Sequence, residues 1–355
     1  MNSDSIETSF LLIFTLITFF IFLIANKYSF KIKNGILLDR DFSKPQAFHR
    51  LAVSRSGGIA GAVSINFFFL LNYLLYSEIL YEYIFICNSM FFIGFLDDLK
   101  IKISPVKRLL MMIFFLTFLI YLIPINISYI DLPILAPIFE NNFFSTLFVS
   151  LCFLFIINGA NLIDGFNGLL TINLIIINTI LLYINILSVN NEFVIFLTAQ
   201  IIILLSFLLF NFPKAKIFLG DSGSYLMGSL VALNAIITNN LNPDYSSFFF
   251  CILLFYLFFE VFFSFLRKII QNKSPVHPDR KHLHMLIYKV ISPKFEKDKE
   301  SGNYINSIII NTAYFILAIP ALYFAKDPVV SRYWFFSLMI IYFFTYYKLN
   351  RLTKK

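Results

Sequence analysis

Eleven stretches of mainly apolar residues follow one another along this chain, near 9–25, 59–76, 79–96, 108–123, 143–158, 167–187, 193–212, 217–238, 246–266, 305–325 and 331–349. A helix needs about 20 such residues to cross the hydrocarbon of a bilayer, and it leaves no backbone polar group unpaired there. A water-soluble fold could not cover them. Of the 355 residues 59% are hydrophobic and 14% are charged, against about 25% charged in soluble domains. The chain therefore reads as one all-α, polytopic integral membrane domain over residues 1–355, with about 11 transmembrane helices. The segment from Pro124 to Pro137, which contains Asp131 and Pro133, is expected to be a non-spanning linker. The first apolar run lacks a basic leader and a small-residue cleavage site, so it is expected to stay as the first span. Cys87, Cys152 and Cys251 all lie inside apolar runs and read as packed or lipid-facing residues, not as a disulfide frame or a metal set.

Lysine and arginine are held on the cytoplasmic side of membranes. With residue 1 outside, one face receives Lys27 through Arg55, Lys100 through Arg108, Lys214 and Lys216, Arg267 through Lys299, and the tail from Lys348. The other receives only Lys326 and Arg332. The N-terminus is thus expected outside and the C-terminus in the cytoplasm, with cytoplasmic loops near 26–58, 97–108, 158–168, 211–221 and 267–304. The net charge of +8 belongs to this topology and to attraction for anionic headgroups. It gives no reason to invoke nucleic acid.

Five segments gather unusual residues on that cytoplasmic side. In Lys44 to Gly58, the paired glycines Gly57 and Gly58 at a helix start let backbone N–H groups approach an anion, with Lys44, His49, Arg50 and Arg55 as cationic donors. An ordinary positively charged loop would look the same. In Gly94 to Arg108, Asp97 and Asp98 sit at a helix C-terminus, where carboxylates oppose the dipole and call for a compensating cation. In Asn158 to Leu170, Asn158, Asn161 and Asp164 recur every three residues on one side of a helical turn. Such hard oxygen donors suit Mg²⁺ bound jointly with a phosphate. In Phe218 to Gly228, Asp221 falls in an apolar helix, where an isolated carboxylate costs about 2.5 to 3.5 kcal/mol, so it should face the bundle interior. The fifth segment, Arg267 to Tyr288, carries Arg280, His282 and His284. Phosphate contact suits it better than zinc, because no cysteine is at hand. Glu260, seven residues before Arg267 on one helical side, is expected to pair with it.

Together and in this order, the GFLDD, NxxNLIDGxxGL, GDSGS and SPxxPDRxHxH motifs resemble the polyprenyl-phosphate N-acetylhexosamine-1-phosphate transferase superfamily, over roughly residues 40 to 290. The resemblance implies a reaction in which undecaprenyl phosphate attacks the β-phosphorus of a UDP-N-acetylhexosamine and UMP leaves. It implies that Asp221 and Asn161 hold Mg²⁺, with Mn²⁺ as the alternative ion. Asp97 would accept the lipid-phosphate proton or place that phosphate, with Asp98 in support and Asp164 at the reaction centre. Lys107 and the loop bearing Lys44, His49, Arg55, Gly57 and Gly58 would contact phosphates. Asn158 would be a substrate contact beside Asn161, and position 167 would reach the uracil. Arg280, His282 and His284 would close over diphosphate and sugar.

By the same likeness the setting is a bacterial plasma membrane, with the site facing the cytoplasm. The partners are UDP-sugar, undecaprenyl phosphate, the bilayer and a second copy of the chain through lipid-facing helices. The chain departs from the pattern at Asn167, where many relatives have Asp, so a carboxylate contact to uracil becomes an amide contact. It also departs at Met285, Ala52 and Ser54. The SPxxPDRxHxH form lies nearer the teichoic-acid and O-antigen initiators than the phospho-N-acetylmuramoyl-pentapeptide transferases, whose loop has three consecutive histidines, so a small donor such as UDP-GlcNAc is favoured. A transporter would place charges near the midplane and show repeats, whereas these polar groups sit at one edge and no duplication is visible. A non-catalytic scaffold would have no use for so many costly carboxylates.

Overall fold

The computed structural model describes residues 3–28, 35–40, 52–101, 103–123, 125–132, 136–275, 279–295 and 298–354, and the chain is about 79% helical. The helices are α1 (Ser3–Tyr28), α2 (Gly57–Tyr76), α3 (Tyr81–Asp98), α4 (Pro105–Leu122), α5 (Ala136–Phe139), α6 (Asn142–Ile163), α7 (Leu169–Leu187), α8 (Asn191–Asn211), α9 (Gly220–Leu241), α10 (Ser247–Leu253), α11 (Phe255–Ile270), α12 (Leu283–Ile291), α13 (Lys299–Ala318) and α14 (Pro328–Leu352). Two short strands, β1 (Leu38–Asp39) and β2 (Val53–Ser54), pair antiparallel, and Ser54 also bridges Ile217. Helix starts follow local chemistry. Ser104 Oγ accepts from the Lys107 N–H ahead of Pro105, Asn141 caps α6, and Asp327 caps α14 ahead of Pro328.

Ten of the eleven apolar stretches each fall on one helix, and the eleventh falls on two, but they are not equivalent. Among the described residues, eight helices are long and apolar enough to cross a membrane: α1, α2, α4, α6, α7, α8, α14, and α13 continued through Phe324. The span expected at 246–266 is broken into α10 and α11, which meet at an angle of 77°. The remaining two, α3 and α9, are of similar length but more polar.

For α9 the reason lies in packing. α9 is buried without interruption from Ser222 to Ile236, so its solvent is protein, and its polar side chains need partners in place of lipid. Asn234, for example, accepts from Tyr83 of α3 at 2.8 Å and donates to Asn178 of α7 at 2.9 Å and to Gln200 of α8 at 2.7 Å. Close approach to α9 is made through glycine. A Cβ on Gly58 of α2 would lie 2.5 Å from the Gly223 nitrogen, one on Gly94 of α3 would lie 2.4 Å from the Asp221 carbonyl oxygen, and one on Gly228 would lie 2.9 Å from Ile157 Cα of α6.

Candidate active site

The site is built on the N-terminus of α9. The turn leading into it is tied to β2 and α2. Phe218 N–H donates to the Ser54 carbonyl at 2.7 Å, and the N–H groups of Gly57 and Gly58 donate to the carbonyls of Phe218 and Leu219 at 2.9 and 2.8 Å. Gly220 adopts φ +77°, and a Cβ there would lie 2.6 Å from Asp98 Oδ2. The Asp98 carboxylate comes in against that glycine. Its Oδ2 accepts from the Ser222 N–H at 2.9 Å and the Ser222 hydroxyl at 2.6 Å. Its Oδ1 accepts from the Asp221 N–H at 3.1 Å and Arg55 Nη1 at 3.2 Å. Asp98 is 1% exposed. It caps α9 from another helix, giving two of the orphan N–H groups of a helix start an anionic partner.

Its neighbour Asp97 meets Asp221 across one cation. Arg108 Nη1 lies 3.1 Å from Asp97 Oδ1 and 2.8 Å from Asp221 Oδ2, with the guanidinium 5.8 Å from the centre of the Tyr225 ring. Arg55 joins Asp98 to Asp39, which it reaches at 2.7 Å. Burial opposes the Arg55 charge, but Asp221, Asp98 and Asp39 outweigh it and raise its pKa. Asp164 ends α6 as its C-cap. Burial, then the charge of Asp221, push its carboxyl well above the ordinary range, with Arg55 pulling the other way. One turn earlier, Asn161 Nδ2 donates to Ser224 Oγ at 3.0 Å, and Ser224 Oγ donates to the Asp221 carbonyl at 3.2 Å.

These residues fit a hard cation. Two carboxylates from α3 and α9 reach one positive nitrogen, so the position accepts positive charge. Asn161, its nitrogen committed to Ser224, turns its carbonyl oxygen into the available donor. Among the described residues, no three His, Cys, Asp or Glu side chains form a cage that would hold a metal alone. Mg²⁺ commonly takes one or two carboxylates and completes its shell with water and phosphate oxygens.

The structure thus gathers Arg55, Asp97, Asp98, Asn161, Asp164 and Asp221. Lys44 and His49 lie outside the described residues. The structure places the remaining site residues as follows. Gly57 and Gly58 do not cradle an anion, because their N–H groups are taken by carbonyls and their missing side chains make room for Phe207 and the Phe218 carbonyl at Gly57 and for α9 at Gly58. Lys107 is exposed, and Arg108 is the cation that enters the site. Adjacent cations at a helix start look alike in sequence, yet successive residues stand about 100° apart around a helix, and that phase was the signal overlooked. Asn158 donates to the Leu154 carbonyl of its own helix at 2.7 Å. Asn167 is buried, donating through Nδ2 to the Pro213 carbonyl at 2.9 Å and through its N–H to Asn303 at 2.7 Å, so it anchors its turn instead of standing open to a base.

The histidine segment forms a second cluster. His282 and His284 are both buried, with parallel rings whose centres are 5.5 Å apart, while Arg280 is exposed. Burial drives His284 down to about 3, so it is neutral. Glu260 does not pair with Arg267. Glu260 meets His282 at 3.1 Å and Arg267 meets Asp279 at 2.8 Å.

The family model of glycosyl transferase family 4 matches residues 80–239, the stretch from α3 to α9 that carries every carboxylate of the α9 site except Asp39. An undecaprenyl-phosphate alpha-N-acetylglucosaminyl 1-phosphate transferase of Thermotoga maritima is 27% identical over 205 residues, 57% of this chain and 60% of its own length. A probable undecaprenyl-phosphate N-acetylglucosaminyl 1-phosphate transferase of Bacillus subtilis is 28% identical over 54% of this chain and 53% of its own. The chain therefore spans a little over half of each of these two relatives. A phospho-N-acetylmuramoyl-pentapeptide-transferase of Petrotoga mobilis is 30% identical over 60% of this chain and 67% of its own. With the family model covering Asp97, Asp98, Asn161, Asp164 and Asp221, and a relative 30% identical over two thirds of its own length, the chain belongs to glycosyl transferase family 4, within the polyprenyl-phosphate N-acetylhexosamine-1-phosphate transferase superfamily.

Proposed function

We propose that this protein transfers N-acetylhexosamine 1-phosphate from a UDP-sugar to undecaprenyl phosphate, releasing UMP and forming the first lipid-linked intermediate of a cell-surface polysaccharide. The observation that carries the reading is the convergence of Asp97, Asp221, Asp164 and Asn161 with Arg55 and Arg108 at one end of the bundle. The positive-inside pattern supports placing that end in the cytoplasm of a bacterium, where nucleotide sugars are made.

The attacking lipid phosphate and the leaving UMP are both anionic, so the chemistry needs charge neutralisation and in-line placement above all. A lipid-phosphate oxygen bonds to the β-phosphorus, the bond from that phosphorus to the bridging oxygen breaks, and the electron pair leaves on UMP. Arg108 is placed to exchange its carboxylate partners for diphosphate oxygens, while Arg55, held by Asp39 and Asp98, stays as a fixed positive charge. Mg²⁺, or Mn²⁺, held by Asp221 and Asn161 would supply Lewis-acid charge on the diphosphate. Asp97, with 33% of its side chain exposed, is the carboxylate able to place the lipid phosphate. Asp98, sealed beneath α9, keeps that helix start in position. Since the lipid phosphate is already anionic near neutral pH, strong base catalysis is not required.

A second reading, phospho-N-acetylmuramoyl-pentapeptide transfer, is favoured by the similarity to the Petrotoga protein. A membrane assay with undecaprenyl phosphate, Mg²⁺ and a panel of UDP-N-acetylhexosamines, including the muramoyl-pentapeptide donor, tests both. Lipid-linked sugar phosphate in step with UMP is the expected result. Absence of product from every donor with folded protein would overturn the assignment.

A further inference from the structure

Glu260 stands apart from the carboxylates at α9. It lies in the apolar helix α11 and is 1% exposed, where a carboxylate is expensive unless donors satisfy it. Three do. Oε1 accepts from His282 Nδ1 at 3.1 Å and from the backbone N–H of Leu283 at 3.0 Å, and Oε2 accepts from the Tyr342 hydroxyl at 2.7 Å. Leu283 is the first residue of α12, and its N-cap residue His282 makes no side-chain cap of its own. Glu260 supplies that cap from a neighbouring helix.

The same oxygen also decides how His282 is presented. A carboxylate only accepts, so Nδ1 carries a proton toward Glu260, and Nε2, the end directed elsewhere, donates to an anion only in the imidazolium, which carries a proton on both nitrogens. In the structure Nε2 lies 3.4 Å from Asp279 Oδ1, a long contact, and Asp279 is held at 2.8 Å by Arg267. The Nε2 partner can therefore be exchanged at little cost, whereas the Nδ1 partner cannot. The residues matched by the family model end at 239, so this arrangement lies beyond them.

We infer that Glu260 is a positioning residue for the transfer: it locks the first turn of α12 and the His282 ring so that Nε2 can leave Asp279 for a phosphate oxygen of the bound diphosphate. The inference rests on the transferase reading. It separates binding from turnover, because a correctly held histidine matters most as charge shifts onto the leaving group.

Turnover and KM for the UDP-sugar are measured in nanodiscs for wild type, Glu260→Ala and Glu260→Gln, with a thermal melt of each. Glu260→Gln keeps one oxygen for both His282 and Leu283 and offers its NH₂ to the Tyr342 oxygen, so it should retain at least about a third of kcat. Glu260→Ala should lose about 30-fold or more in kcat with KM within about threefold, the scale expected for a mispositioned catalytic contact. If Glu260→Ala does not fold, Glu260→Asp, which withdraws the carboxylate by one methylene, replaces it with the same expectation. A kcat loss below about threefold, a loss confined to KM, or a Glu260→Gln enzyme as impaired as Glu260→Ala overturns the inference while leaving the transferase reading intact. A folded wild type inactive with every donor overturns both.

Discussion

Gly94 of α3 offers a stringent test of how the site is held. A Cβ at this position would lie 2.4 Å from the Asp221 carbonyl oxygen, 2.5 Å from its carbon and 2.6 Å from the Ser222 nitrogen. All three are backbone atoms, so no rotamer change relieves the contact. Favourable carbon contacts begin near 3.5 Å, so Gly94→Ala must move α3 from α9 by roughly 1 Å. The helix displaced is the one that delivers Asp97 and Asp98 a turn later. The Asp98 bonds at 2.6, 2.9 and 3.1 Å would stretch toward the limit of hydrogen bonding. Alanine's better helix propensity returns about 1 kcal/mol, against about 1 to 3 kcal/mol for overpacking and about 1 kcal/mol for each weakened bond. The net expectation is a loss of about 3 to 5 kcal/mol in stability, and about 100-fold in turnover, since a misplacement of about 1 Å has that effect.

Melting temperature and UMP release in nanodiscs measure the two quantities. Gly61→Ala is the matched control, because a Cβ there comes close only to the mobile Cε end of Met227, at 2.8 Å, and touches Leu226 Cδ2 at an ordinary 3.9 Å. It should be neutral or stabilising. Wild-type turnover in Gly94→Ala, or equal damage from the two substitutions, would refute the reasoning.

Arg108→Ala should cut UMP release by about 100-fold while Lys107→Ala stays within about threefold, a contrast on the scale of losing one preorganised charge; kinetics of the two variants side by side decide it. Asp98→Asn places an NH₂ among the Ser222 and Asp221 N–H donors and breaks the pair with Arg55, so it should destabilise by about 3 kcal/mol, as losing one partner of a buried ion pair does, and a thermal melt reads it. Asp164 keeps its proton longer folded than unfolded, so its contribution to stability falls as pH rises above about 4, by up to about 1.4 kcal/mol per unit until the folded carboxyl ionises. Asp164→Asn should flatten the dependence of the melting temperature on pH above about 4, and identical slopes in the two proteins would exclude that ionisation.

Membrane residence and the positions of the helices were legible in the sequence, because lipid imposes length and apolarity on whatever faces it, and ten of the eleven apolar stretches each fall on one helix. The same physics explains why α9 looks like a weaker span: wrapped in protein, it answers to partners such as Asn178 and Gln200 and not to hydrocarbon, whereas α3 is made polar by Glu82, Asp97 and Asp98 near its ends. The carboxylates were legible too, since Asp97, Asp98 and Asp221 are expensive where they stand and call for a reason. Their division of labour was not. Whether Asp98 caps α9 while Asp97 stays open, whether Arg108 or Lys107 turns inward, and whether Gly58 holds an anion or admits a neighbouring helix depend on helix phase and on ångström-scale distances between segments far apart in the chain. Glu260 shows the limit most plainly. Its local spacing pointed to Arg267, but a buried carboxylate takes the donors that tertiary packing brings to it, and those came from α12 and α14.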